Sequence, residues 1–239
     1  HGMDPVVEKA MELIEQLRNK IQELSDKLNS ILDKVPFFLD WVADRIQDGW
    51  NQLLGKLDEF WAWVDEHLNN PGDPWALSET AQQWNELVGG PVSAQVGTVD
   101  AGQLLTDDRW SGTAADAYRQ TLTPQKTAME KVRTSFCDGV FQALDKMQTS
   151  IIIFWTAFAA GVAACIAGFG GALASTATIV GAPAGPFIAA AAVGVLLAAL
   201  GGAALKLSSD VNSAKGILSG KLADLGAYPG GRWPRAVGL

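Results

Sequence analysis

The chain has 239 residues, of which 48% are hydrophobic and 18% are charged, and its formal net charge is -8 at pH 7. A chain of this length can bury a substantial core. Its acidic balance excludes nucleic acid as an electrostatic partner, because binding to phosphates requires a basic footprint. Cys137 and Cys165 are the only cysteines. We expect both to be small buried side chains, because two cysteines are too few for a disulfide framework.

Residues 4–70 are predicted to form an amphipathic helical hairpin. Apolar residues alternate three and four positions apart in the first helix, which makes a heptad seam. Such a seam is buried either against a neighbouring helix of the same chain or in a self-associating coiled coil. Pro36 ends this pattern, and a second, aromatic-rich helix is predicted over residues 38–68. The candidate oligomer seam consists of Ile14, Leu17, Ile21, Leu24, Leu28 and Ile31.

Residues 75–150 are predicted to form a second helical hairpin. The pattern indicates one helix up to residue 105, interrupted by the Gly-Gly-Pro sequence at residues 89–91. A turn is expected at residues 107–112, and Thr113 is the expected N-cap of a long second helix. Pro124 is expected to kink or interrupt that helix.

No charged residue occurs between Met147 and Leu205. Two apolar runs in this stretch each reach the roughly 20 residues needed to cross hydrocarbon. Basic residues flank both ends, so residues 148–206 are predicted to form a membrane hairpin with both ends on one side. Its glycines are expected to let two helix backbones approach. The candidate hairpin residues are Ile151, Phe154, Trp155, Gly161, Gly168, Phe187, Gly194, Leu197 and Gly201.

A turn motif suggests a family for residues 75–150. Trp110-Ser111-Gly112 lies between the two predicted helices and is followed by Thr113-Ala114-Ala115-Asp116-Ala117-Tyr118. This arrangement resembles the Trp-x-Gly turn of the WXG family of type VII (ESX) secretion substrates in actinobacteria and Gram-positive bacteria. The resemblance implies a helical hairpin with Trp110 and Gly112 at its turn, and a WXG-family partner protein. Two features depart from the family: the break at residues 89–91, and the absence of a Tyr followed four residues later by Asp or Glu.

The sequence predicts no catalytic, cofactor or metal site, and therefore no enzyme. His67 follows Asp65 and Glu66 directly, and a helix directs consecutive side chains away from one another. The first residues, His1-Gly2-Met3, resemble the remnant of a tag, and the sequence that follows, Asp4-Pro5-Val6-Val7, lacks the basic start and apolar core of a secretory signal. We therefore expect the membrane or the cell envelope as its location, reached without a signal peptide.

The sequence as a whole predicts an all-α protein, with residues 207–239 as a short helix and an irregular tail. The expected function is that of a type VII secretion-associated, self-assembling protein that contacts the lipid bilayer and is a candidate pore former. The alternative is a soluble homo-oligomer, or an interaction partner or chaperone of another WXG protein. In that case the apolar hairpin would be buried inside the assembly.

Overall fold

A computed structural model describes residues 5–68, 72–103 and 109–236. This part of the chain is helical and contains no strand, which confirms the predicted all-α class. Short 3₁₀ turns and two π-helical turns, Asn85–Gly89 and Val132–Cys137, connect the helices. The α-helices are α1 (Pro5–Leu32), α2 (Asp40–Leu68), α3 (Pro74–Trp84), α4 (Gly90–Val96), α5 (Thr113–Lys131), α6 (Asp138–Ser175) and α7 (Ala184–Ala223).

The chain divides into two compact units that share the two longest helices. Unit 1 contains residues 1–73 and 151–208, and unit 2 contains residues 74–150 and 209–239. The predicted amphipathic hairpin and most of the predicted membrane hairpin therefore belong to one unit. Residue 206, the predicted end of the apolar hairpin, is not a helix boundary, because α7 continues to Ala223.

The core of unit 1 joins the amphipathic helices to the apolar ones. Of the six predicted seam residues in α1, five are buried in the core of the chain itself and Ile21 is partly buried. The structure thus shows α1 packed on neighbours within the same chain. A coiled coil through this seam would require the core to open. The helix α2 contributes the matching apolar stripe: Val42, Ile46, Leu53, Leu57, Phe60 and Val64.

The buried seam leads to a stability prediction. We expect Leu17→Ala to lower the free energy of unfolding by about 2–5 kcal/mol, because the side chain is fully buried and its removal leaves a cavity. Met11→Ala on the same helix is the control, since Met11 is 42% exposed and should change stability by less than about 0.5 kcal/mol. Chemical denaturation measures both. Unchanged stability together with a smaller oligomer would show instead that the seam is intermolecular.

In unit 2 the predicted break at residues 89–91 is wrong, because the helix continues through it as a π turn. The wider π turn precedes Pro91, where the proline ring would clash with a regular α turn. Gly89 lies where this turn meets the second π turn: a Cβ atom added to it would lie 3.3 Å from the Cβ of Cys137. Pro124 is accommodated inside α5.

Candidate membrane-interaction site

Two helices of the described part are long and apolar enough to cross a membrane, judged by length and composition. They are Thr113–Ser175, which joins α5, its π turn and α6, and Ala184–Ala223, which is α7. Each contains a strongly apolar stretch of 18 residues. Only 28% of each stretch is buried, whereas the core helix of a soluble protein is mostly buried. Their outward surface is therefore the main candidate site.

The turn that joins α6 to α7 contains hydroxyl groups bonded to nearby backbone. The Ser175 Oγ donates to the carbonyl of Ala172 at 2.7 Å, and the Thr176 Oγ1 donates to that of Leu173 at 2.6 Å. The backbone N–H of Gly181 donates to the Thr178 Oγ1 at 3.0 Å. Polar groups that are already hydrogen-bonded are cheaper to transfer into hydrocarbon. The turn therefore carries neither a charge nor a set of unsatisfied hydroxyls that would oppose its transfer into hydrocarbon.

Two of the predicted glycines allow the α6 and α7 backbones to approach. A Cβ atom on Gly161 would lie 2.9 Å from Leu196, and one on Gly168 would lie 2.6 Å from the Cβ of Ala192. A larger residue at Gly168 would therefore collide with α7, and one at Gly161 would displace the end of the Leu196 side chain. A Cβ atom on Gly194 or Gly201 would meet nothing within 4 Å, so neither glycine lies at a close contact between α6 and α7 within the chain.

The inner face of the apolar hairpin lies in the same core as α1 and α2 and contacts α2 directly. Phe154, Trp155 and Phe158 are buried in the unit 1 core, and the Trp63 ring of α2 stacks on Phe158 with 5.5 Å between centroids. Trp63 also stacks on His67 at 4.0 Å, and the His67 Nδ1 lies 2.9 Å from the Trp63 carbonyl oxygen. His67 thus belongs to an aromatic cluster. Of the other predicted hairpin residues, Ile151, Phe187 and Leu197 are partly buried.

The helix α2 also lies against the start of α7. A Cβ atom on Gly49 would lie 2.9 Å from both the Phe187 ring and the Cβ of Pro186, so only glycine fits this contact without rearrangement. The Arg45 guanidinium lies 4.6 Å from the centre of the Phe187 ring, within the range of a cation–π interaction. This contact closes the α1–α2 hairpin over the tip of the apolar one.

The outer face of the apolar hairpin is uncharged and exposed. Exposed residues alternate three and four positions apart on both helices, so they follow one face of each. In contrast, α1 and α2 carry ion pairs on their exposed faces, such as Lys9 with Glu12 and Lys56 with Glu59. The outer-face residues are Ala157, Ala160, Ala164, Ala167, Gly171 and Ala174 on α6, and Ile188, Ala191, Val195, Ala198, Gly202 and Leu205 on α7.

Sequence periodicity did not separate this outer face from the inner one, because both are apolar. A difference in side-chain size between the two faces of α6 could have distinguished them. The inner face of α6 carries the aromatic residues, whereas its outer face carries alanine and glycine. Large side chains gain more free energy than small ones from burial in a protein core.

Polar contacts between α6 and α7 flank the apolar segment. The Ser150 Oγ donates to the Asp210 Oδ2 at 2.9 Å, and the Lys146 Nζ donates to the Ser213 Oγ at 2.7 Å. Lys146 directly precedes the uncharged stretch and Ser150 lies near its start, whereas Asp210 and Ser213 follow its end. They mark where the hairpin changes from apolar to polar surface.

The Trp-x-Gly turn is part of unit 2. Gly112 has φ +104°, a conformation that favours glycine, and it is the N-cap of α5, so the predicted N-cap at Thr113 is wrong. The Arg119 Nη2 donates to the Trp110 carbonyl at 2.8 Å, and the Trp110 and Tyr118 rings lie 5.7 Å apart. The Trp110 side chain remains exposed. The part of the predicted turn at residues 107 and 108 lies outside the described residues.

The described residues contain no group of three His, Cys, Asp or Glu side chains able to hold a metal ion. Cys137 and Cys165 are both buried, as predicted, and both are free thiols. Burial raises the pKa of the Cys137 thiol, with a smaller contribution from Asp138, and so keeps it protonated at neutral pH.

No family model, curated protein or solved structure matches the chain. The resemblance to the WXG family therefore rests on the turn around Trp110 and Gly112 and stays a prediction. The physical properties of the apolar hairpin are the stronger basis for a function.

Proposed function

We propose that this protein inserts its α6–α7 hairpin into a lipid bilayer and that the α1–α2 hairpin covers one face of it beforehand. The observation that carries the proposal is the outer face of the hairpin, which is exposed along both helices without a charge. Large contiguous apolar surfaces that are exposed mark interaction sites with proteins or membranes. The length of the uncharged helices favours the membrane.

Insertion requires α1 and α2 to move away from the hairpin. Their exposed faces carry ion pairs, and each charged side chain at the centre of a bilayer costs about 2.5–3.5 kcal/mol. The closed unit therefore cannot cross hydrocarbon as it stands. The aromatic side chains uncovered on α6 would move from a protein core into lipid, which is also apolar, so separation does not expose them to water.

The movement of α1 and α2 away from the α6–α7 hairpin would also allow self-assembly. Once α1 leaves the unit 1 core, the seam that includes Ile14, Leu17 and Leu24 loses its partners within the chain. A heptad seam of this kind is buried equally well by a second copy. We therefore place homo-oligomer formation after the opening step, with a pore as the candidate product.

Association with type VII secretion is the finer part of the proposal. It is supported by the Trp110-x-Gly112 turn, whose glycine has a positive φ, and by the exposed Trp110 ring. In this proposal the protein reaches the membrane or cell envelope without a signal peptide, and a WXG-family protein is its partner. Co-purification from the native host tests this part separately.

A soluble homo-oligomer is the second candidate function. The alanine and glycine residues of the outer face would allow close helix packing between copies. In this case the hairpin would be buried in an assembly that needs no lipid.

Liposome flotation combined with dye release tests the proposal. We expect the protein to float with vesicles of phosphatidylcholine and phosphatidylglycerol and to release an entrapped dye. Flotation without dye release would support membrane binding and exclude the pore. Protein that stays at the bottom of the gradient, leaves vesicles intact and has a discrete oligomeric mass without detergent would refute insertion and support the second candidate.

A further inference from the structure

The C-terminal tail, predicted to be irregular, has a defined path along α5. After α7 ends at Ala223, the chain turns at Gly230 and Gly231, whose φ values are 65° and 71°. Two successive residues in the left-handed region favour glycine, because a Cβ atom is strained there. The turn directs residues 232–236 back along the helix.

Hydrogen bonds between residues far apart in sequence hold the tail in place. The buried Tyr228 hydroxyl donates to the carbonyl of Ala128 at 2.8 Å. The Trp233 Nε1 donates to the Gln125 Oε1 at 2.7 Å, and the Gln125 Nε2 donates to the carbonyl of Pro234 at 2.8 Å. Gln125 thus uses both ends of its amide on the tail. None of these bonds involves an arginine side chain.

An ion pair fixes the start of the tail. The Lys131 ammonium contacts the Asp224 carboxylate and, with the backbone N–H of Gly226, lowers the pKa of that carboxyl below its ordinary value. The charged form is therefore favoured in the folded state. The pair contributes fully above the ordinary pKa of an aspartate and is lost as the pH falls through the lowered value. The tail is thus held at neutral pH.

A cleft of about 720 Å³ lies between the tail and α5. Its lining includes Gln120 and Pro124 of α5 and Arg232, Trp233 and Arg235 of the tail, and none of the described lining residues carries a carboxylate. Within the described residues neither Arg232 nor Arg235 is paired with an acidic side chain. Two uncompensated guanidinium groups at one cleft contrast with the net charge of -8 of the whole chain. The cleft is therefore a local site for an anion.

We propose that this cleft binds a phosphate ester, with the headgroup of an anionic phospholipid as its source. Guanidinium groups match the oxygens of phosphate in a bidentate geometry. The Trp233 ring is 48% exposed and is held through its Nε1, so it offers a fixed apolar surface to the glycerol part of a lipid. The Gln120 amide, which also lines the cleft, is able to donate to or accept from a polar headgroup. This proposal does not depend on insertion of the α6–α7 hairpin.

Titration of the intact protein with a monomeric short-chain lipid tests the site. Dihexanoyl-phosphatidylglycerol, used below its micelle concentration, offers the headgroup without a bilayer, so hairpin insertion does not contribute. We expect calorimetry to show binding to the wild type and an affinity at least about tenfold lower for the R232Q/R235Q variant, because each charge-assisted hydrogen bond to phosphate is lost. Dihexanoyl-phosphatidylcholine, which has no net charge, should bind more weakly than the anionic lipid.

The matched control is K9Q/K20Q, which removes the same charge from exposed positions of α1 and should leave the affinity unchanged. R232K/R235K keeps the charge without the planar guanidinium, and we expect intermediate affinity. The NMR signal of the Trp233 indole N–H reports whether the tail remains docked in each variant.

Inorganic phosphate, followed by line broadening in ³¹P NMR, distinguishes the two sources of the ligand. Phosphate that binds as tightly as the lipid, with loss of binding in R232Q/R235Q, would support the site and assign it to free phosphate. If neither dihexanoyl-phosphatidylglycerol nor inorganic phosphate binds to the wild type, the proposal is overturned. Equal binding by the wild type and R232Q/R235Q would overturn it as well.

Discussion

A disulfide between α2 and α7 will abolish dye release from vesicles, and reduction will restore it. Gly49→Cys and Pro186→Cys create the pair, because a Cβ atom on Gly49 would lie 2.9 Å from the Cβ of Pro186. A small backbone shift brings this distance to the value of about 3.8 Å that disulfides prefer. Closed in this way, α2 cannot leave the apolar hairpin, and its charged face would have to enter the bilayer with it. We expect leakage from the oxidised protein to fall to the level of vesicles alone.

Each single cysteine variant is the control for the cross-link. Gly49→Cys alone crowds the Phe187 ring and should loosen the closed unit, so its leakage should equal or exceed that of the wild type. The native Cys137 and Cys165 are buried and should not compete for the new pair. A cross-linked protein that releases dye as fast before reduction as after it would show that insertion does not need the opening of α1–α2.

Val195→Arg is the second change with a large expected effect. Val195 is 72% exposed in the closed protein, so an arginine there should alter the free energy of unfolding by less than about 0.5 kcal/mol. In an inserted hairpin the same position lies near the middle of the second apolar run, where arginine costs about 2.5–3.5 kcal/mol. We expect the partition into phosphatidylcholine vesicles to fall roughly 100-fold, as measured by flotation.

Leu222→Arg provides the matched control on the same helix. Leu222 is 60% exposed and lies beyond the uncharged stretch, so the arginine would remain in water after insertion. We expect its partition to equal that of the wild type. If Val195→Arg instead kept full vesicle binding but broke a soluble oligomer, the outer face would be a contact between copies, as the second candidate function requires.

These experiments address the part of the molecule that the sequence describes best. The uncharged length of residues 148–205 and the periodicity of α1 and α2 are local properties, and they predicted the helices without reference to a fold. The predicted interruption at residues 89–91 was wrong because a π turn accommodates Pro91 within a continuing helix. A pattern of residue types does not reveal an extra residue in a helical turn.

For the candidate site, the sequence predicted which segment forms it but not which of its faces is exposed. The sequence indicated that residues 148–206 are apolar, but it did not show which face of the hairpin is covered. Phe154 and Trp155 point into the unit 1 core, whereas Val195 is exposed. This difference arises from packing against α2, and a run that is apolar on all sides contains no periodicity that would identify its partner.

The position of the C-terminal tail was even less predictable from the sequence. Residues 224–236 have no helical or strand pattern, and their position depends on bonds such as that from Tyr228 to Ala128, 100 residues earlier in the chain. No local preference predicts a contact over this separation, because loop closure allows many alternative partners at similar cost.

The sequence by itself therefore determined the helical class, the uncharged hairpin and its flanking charges, since each depends on residue types at fixed local spacing. Only the tertiary structure decided that the α1 seam is buried within the chain and that the outer face of the hairpin is exposed. It also decided that the tail brings Arg232 and Arg235 to a cleft on α5. The physical reason is that an apolar stripe gains the same free energy from any apolar partner, and only the assembled chain selects one.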